Sequence, residues 1–177
     1  MKFTIIYLAL LSFVFNSCNS DTSLQEYYVE NQENNQFLAL DIPSSLLTGD
    51  NSGLTAEQIA TLETIKKVNL IAFPLKEDNK EVYETEKEKI NEILSDEKYQ
   101  MLMRFGKGTT KGQIMFTGED DAIDEFIVFG SDEERGFGVA RITGDNMKPE
   151  DLIKLFRSAE KGDLDIAGLQ DLLNSQK

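Results

Sequence analysis

The chain has 177 residues, no histidine, one cysteine, and 18 Lys+Arg against 32 Asp+Glu, for a formal net charge of −14. That length suits one domain with a short extension, and the charge argues against nucleic acid and against peripheral docking on anionic lipid headgroups, which both rest on clustered cations. Without histidine there is no imidazole acid–base chemistry, no Ser-His-Asp or Cys-His catalysis and little prospect of a zinc site, and a lone cysteine forms no internal disulfide.

Met1-Lys2 is a short positive start, and Phe3 to Phe15 (FTIIYLALLSFVF) is an apolar run of 13 residues. A membrane-spanning helix needs about 20, so this run has the length of a signal-peptide core. Asn16-Ser17-Cys18 follows, with a small residue directly before the cysteine. The arrangement resembles the lipobox of bacterial lipoproteins, with Phe15 where Leu is usual and Asn16 where a small residue is commoner; relaxed boxes of this kind suit Bacteroidota. The resemblance implies that residues 1–17 are a signal peptide, that Cys18 is the lipid attachment site, and that the membrane is reached through this anchor. Two acyl chains already give stable attachment, at about 0.8 kcal/mol per buried CH₂. The alternatives are an ordinary secretory signal with an incidental cysteine, or a buried N-terminal helix. Asp21 is isolated and no acidic run directly follows Cys18, so the expected location is the outer membrane, facing the periplasm.

Residues 18–36 are polar and rich in Asn, Gln and Glu, and read as a flexible tether, roughly 25 Å end to end as coil. The alternative for Tyr27-Tyr28 is a small segment docked on the domain. A single α+β domain is expected over residues 37–177. Phe37–Ile42, stopped by Pro43, is a candidate edge strand, and Ser44–Gly53 a loop. Thr55-Ala-Glu-Gln58 fits a capping box, with Ile59, Leu62 and Ile65 making the apolar stripe of a helix. Val68–Phe73, ended by Pro74, is the next strand, and this strand–helix–strand unit could pair its strands in parallel. Val82–Leu94 reads as a helix with Tyr83, Ile90, Ile93 and Leu94 inward and Glu/Lys alternation outward. Tyr99–Phe105 fits a helical turn leading into a strand, and Lys111–Thr117 is a strand with Ile114 and Phe116 toward the core.

The centre of the sheet is Ile123–Thr143, two apolar runs around a turn rich in Gly and acid, which predicts a hairpin. In its first strand Phe126 and Val128 share one face, and Ile127 and Phe129 the other. Arg141 shares a face with Phe137 and Val139, and is expected to pair with Glu125 across the hairpin. Pro149–Glu160 follows as an amphipathic helix with Leu152, Ile153, Phe156 and Ala159 on one face, and Ile166–Leu173 as a last short helix. The predicted class is α+β: an antiparallel β-meander sheet of 4–6 strands with helices packed mainly on one face.

The segments Tyr99-Gln-Met-Leu-Met-Arg104, Glu125-Phe-Ile-Val-Phe129 and Gly138-Val-Ala-Arg-Ile-Thr-Gly144 resemble the small Bacteroidota lipoproteins grouped as domain-of-unknown-function family 4252, over roughly Phe37 to Glu160. The resemblance implies no activity. Members of the family are often described beside sigma-factor genes, so what the resemblance implies is a link to envelope signalling and no more.

Three acidic loops are candidates for cations. Glu119-Asp-Asp121 and Asp132-Glu-Glu134 are hairpin turns, solvated unless they meet at one sheet end. Asp163, Asp165 and Gly168 imitate positions 1, 3 and 6 of a calcium loop, but Ala167 and Asn174 stand where two oxygen ligands are required. No Gly-Lys-Ser/Thr phosphate loop is present, and Asp124 and Glu125 fall on opposite strand faces and cannot act as one catalytic pair. No catalytic, cofactor or metal residue is therefore assigned. The sequence points to a non-enzymatic protein-binding or signalling module whose partner is another envelope protein, with Phe37–Ile42 as a pairing edge. The alternatives are a structural outer-membrane lipoprotein and a metal-dependent hydrolase using the acidic loops.

Overall fold

A computed structural model describes residues 22–47 and 53–161. Cys18, the acidic Asp163–Asp165 segment and the expected helix at Ile166–Leu173 lie outside the described residues. Strands β1 (Leu38–Pro43), β2 (Ile65–Pro74), β3 (Gln100–Lys107), β4 (Thr110–Glu119), β5 (Ala122–Asp132) and β6 (Gly136–Met147) form one six-stranded sheet in the order β1-β2-β6-β5-β4-β3. Every neighbouring pair is antiparallel. The β5–β6 hairpin stands in the middle, as its apolar runs predict, and β3 to β6 form the meander.

The helices are α1 (Leu24–Asn31), α2 (Ser44–Leu47), α3 (Ala56–Thr64), α4 (Lys80–Ile93) and α5 (Pro149–Glu160). They cover both faces of the sheet. On one face, Leu24 and Tyr27 of α1 and Tyr83, Ile90 and Ile93 of α4 bury Ile71, Phe73, Met115, Ile127, Phe129, Phe137 and Val139. On the other, Leu47 of α2, Leu62 of α3 and Leu152 of α5 cover Leu40, Ile42, Ile65, Ile114, Phe116, Ile123, Phe126 and Met147. The expectation of helices mainly on one face is corrected here. A strand that reads apolar at both parities, as 126–129 does, needs cover on both sides. Within β5 the alternation breaks once, at a bulge between Ile123 and Glu125, so that Ile123 and Phe126 face the same way.

Residues 24–36, read from sequence as part of a tether, instead hold α1. Ser23 caps it with a complete capping box: the Glu26 amide donates to Ser23 Oγ at 3.2 Å, and the Ser23 amide donates to Glu26 Oε2 at 2.7 Å. Leu24 and Tyr27 are 2% exposed, and their burial outweighs the polar composition that suggested coil. The Tyr27 hydroxyl donates to Glu86 of α4 at 2.9 Å, and Glu86 also accepts from Lys89 at 2.6 Å. Burial, and then this carboxylate, push the Tyr27 hydroxyl well above the usual tyrosine range. The docked-segment reading of Tyr27-Tyr28 is therefore the one that the fold adopts.

The Thr55 capping box opens α3 as expected, the Gln58 amide donating to Thr55 Oγ1 at 3.2 Å. The strands on either side of it, however, pair antiparallel, Leu38 opposite Ala72. The connecting helices stay on the sheet face beside the end of β1, Leu47 and Leu62 in one core cluster with Ile42 and Ile65, so β2 starts there, Lys67 opposite Pro43. Lys154 of α5 reaches α3 on this face, its ammonium 2.7 Å from Glu57 and 3.2 Å from Asp151 of its own helix. Both carboxylates are exposed enough for the bridge to count for little.

The aromatic centre lies under α4. Phe73, fully buried, stacks on Phe137 at 5.8 Å and meets Phe37 edge-on at 5.0 Å. Tyr83 closes the group at 6.1 Å from Phe73, and its buried hydroxyl finds no hydrogen-bond partner among the described residues. An orphaned buried hydroxyl costs about 1–3 kcal/mol. Tyr83→Phe is therefore expected to raise the unfolding free energy by about 1 kcal/mol in urea titration, and a clear loss of stability would show that the hydroxyl is satisfied.

Candidate functional site

The sheet has two ends. At one, the β4–β5 turn (residues 120–121), the start of α5, the end of α4 and the start of β3 come together; this is the α5 end. At the opposite end lie the β3–β4 turn (108–109), the β5–β6 turn (133–135) and the β2–α4 connection (75–79). The two acidic hairpin turns therefore sit at opposite ends of the 11-residue β5, about 35 Å apart. They cannot share an ion. Turns that begin and finish the same strand must separate by its length, which settles the condition left open in the sequence.

Each turn has its own chemistry. At the opposite end Asp132 is a lock. Its Oδ1 accepts from the amides of Glu134 (3.0 Å) and Arg135 (3.1 Å), and its Oδ2 accepts from the hydroxyls of Thr110 (2.6 Å) and Thr109 (3.1 Å). One carboxylate thus fastens the β5–β6 turn to the neighbouring β3–β4 turn. The Thr110 hydroxyl, followed by these other donors, lowers the Asp132 pKa to about 2. The folded pKa lies below the ordinary carboxylate value, so this contribution is present above about pH 4 and fades as pH falls toward 2. Asp132→Asn should thus melt below wild type at about pH 6, and the gap should narrow toward pH 2 in thermal unfolding followed by circular dichroism. A gap that persists at the acid limit would mean the charge is not what locks the turn.

At the α5 end a cleft of about 610 Å³ opens between the β4–β5 turn and the start of α5. Leu102 and Phe116 supply its apolar wall, and Asp120, Asp121, Lys148 and Glu150 its charges. Lys148 stands among three acids, so the cleft offers no concentration of positive charge for an anion. Among the described residues, no group of three or more His, Cys, Asp or Glu side chains gathers to hold a metal ion, and no helix is long and apolar enough to cross a membrane.

The densest polar arrangement is elsewhere, on the sheet face that carries α1. Arg141 on β6 reaches Glu125 on β5, with Nε 3.0 Å from Glu125 Oε1 and a second donor from Nη2 to the same oxygen. Its Nη1 donates to Asn69 Oδ1 of β2 at 3.3 Å, and its Nη2 to Gln25 Oε1 of α1, also at 3.3 Å. Asn69 in turn donates to Asp41 of β1 at 3.0 Å, and Asp41 pairs with Lys67 at 2.8 Å. A row of polar side chains thus crosses four strands, and Gln25 joins it to α1. Arg141 and Glu125 are largely buried, with side chains 15% and 21% exposed. The predicted pair across the hairpin is present. The sequence reading missed Asn69, Asp41 and Gln25 as its partners; the one signal was a polar Asn at a core-facing position in Val68–Phe73. With its guanidinium taken up by three neighbours, Arg141 can position strands and α1 but has little left to offer a ligand.

An open, six-stranded antiparallel sheet with helices on both faces, an acid-locked pair of turns and a polar row beneath its first helix defines a small α+β domain without a gathered reactive centre among the described residues. Residues 27–155 match the family model described as a domain of unknown function (DUF4252), and the chain belongs to that family. The match begins inside α1, at Tyr27, and so takes in the second half of that helix. No curated protein and no solved structure matches the chain.

Proposed function

We propose that the chain is a lipid-anchored protein of the bacterial envelope, Bacteroidota-like in its lipobox, that works as a non-enzymatic binding or signalling module on another envelope protein. The observation that carries the reading is the 13-residue apolar run ending at Asn16-Ser17-Cys18, followed directly by a folded, strongly acidic domain. Acyl chains on Cys18 would hold that domain at the periplasmic side of the outer membrane. The sheet supports binding rather than chemistry. Its two edges, β1 and β3, leave one row of backbone groups unpaired within the sheet, and an edge strand accepts an added strand from a partner. The separation of the two described acidic turns counts against the hydrolase alternative, which would draw on the acidic loops together.

The anchor is tested by Cys18→Ala in the full precursor. Wild type should be processed, take up labelled palmitate and sediment with membranes; the variant should remain unlabelled precursor. A variant still processed and labelled would defeat the lipobox assignment. For the binding role, crosslinking in intact envelopes should recover one reproducible protein partner, and its absence over repeated trials would favour a structural lipoprotein.

A further inference from the structure

We infer that the α5 end of the sheet faces the bilayer and that the opposite end, with the Asp132-locked turns, is presented to the aqueous compartment. The inference rests on the lipid-anchor reading above and adds an orientation to it. The first observation is where α1 starts. The Leu24 amide donates to the Tyr99 hydroxyl at 3.3 Å. Tyr99 directly precedes β3, and the side chain of its neighbour Gln100 donates to the Gly118 carbonyl at 3.0 Å, beside the β4–β5 turn. The N-terminus of α1 is therefore fixed at the α5 end.

The second observation is length. Ser23 already caps α1, so only four residues separate it from Cys18, a reach of at most about 18 Å. The opposite end lies about 35 Å further along the strands. A chain this short cannot bring the acylated sulfur round to the distal turns.

What binds a partner in this geometry is the distal end and the upright flanks of the sheet, including both edge strands.

The chain has no tryptophan, which allows a direct test. Full-length lipidated protein carrying Glu97→Trp, in the loop at the α5 end, or Glu133→Trp, in the distal turn, is reconstituted into vesicles containing dansylated phosphatidylethanolamine. Both positions are exposed. Glu119→Trp and Asp78→Trp provide a second pair at the same two ends, so that one poorly folded variant does not decide the outcome. Energy transfer to the headgroups should be several-fold greater from positions 97 and 119 than from 133 and 78. Equal transfer from both ends, or more from the distal pair, overturns the orientation while leaving the anchor intact. Protein that does not float with the vesicles at all overturns the anchor, and the orientation with it.

Discussion

Phe73→Ala is expected to cost about 3–5 kcal/mol, the range for emptying a fully buried aromatic site. Phe73 is 0% exposed and touches Phe37, Tyr83 and Phe137, so three other rings lose a partner at once. The cavity lies between the central strands and α4, where rigid secondary structure on both sides prevents collapse. Domains of this kind have only about 5–15 kcal/mol in total, so the variant should lose a large part of its urea midpoint at unchanged slope. Val29→Ala is the matched control: Val29 is 55% exposed on α1, and its truncation should change stability by less than about 0.5 kcal/mol. A Phe73 variant as stable as this control would mean that the aromatic centre is not the core of the fold.

Gly136→Ala should be as damaging for a different reason. Gly136 opens β6 opposite Pro74 with φ +116, in the half of conformational space that side chains avoid. A Cβ there would sit 2.7 Å from the Leu75 amide nitrogen and closer still to the Phe73 carbonyl oxygen. Both are backbone atoms held in place, since the Leu75 amide donates to Arg135 O at 2.9 Å. Strain in φ alone costs about 1–3 kcal/mol, and the overlap adds to it by forcing β2 and β6 apart. Loss of soluble, cooperatively unfolding protein is the expected result. Gly130→Ala gives the contrast, because nothing lies within 4 Å of a Cβ at that position, and it should be tolerated with a cost of no more than about 1 kcal/mol. Comparable behaviour of the two alanine variants would remove the steric argument.

The hairpin at the centre was legible because its residues agree at every level. Phe126–Phe129 and Phe137–Ile142 are β-branched and aromatic, the turn between them is polar, and a cross-strand Arg141–Glu125 pair fits the register. The boundaries of α5 were legible from Pro149 and its apolar stripe, and the start of α3 from the Thr55 capping box. The fate of α1 was not. Its burial comes from only Leu24 and Tyr27, in a stretch otherwise made of Asn, Gln and Glu, and composition cannot show that two side chains have a tertiary slot waiting for them. The antiparallel pairing of β1 with β2 was not legible either, because a connection as long as residues 44–64 suits a crossover as well as a return, and no motif in it decides between them. For the polar row the sequence offered one end, Glu125 with Arg141; the continuation through Asn69 to Asp41 follows from β2 lying beside β6, a neighbour 72 positions away in the chain.

That same adjacency of β2 and β6 sets an order of events during folding. The meander from β3 to β6 closes through short turns and can form early, because its contacts are local. The β1–β2 hairpin has no such independence. It docks on the strand that ends at Met147, so the first third of the molecule stays without its neighbour until the last described strand has been delivered. Closing a loop of that size carries an entropic cost that grows with the logarithm of its length, and the docking step comes late for that reason. A nascent chain cut short anywhere before β6 would leave Val68–Phe73 exposed along its whole flank, a sticky half-product prone to meet its own kind.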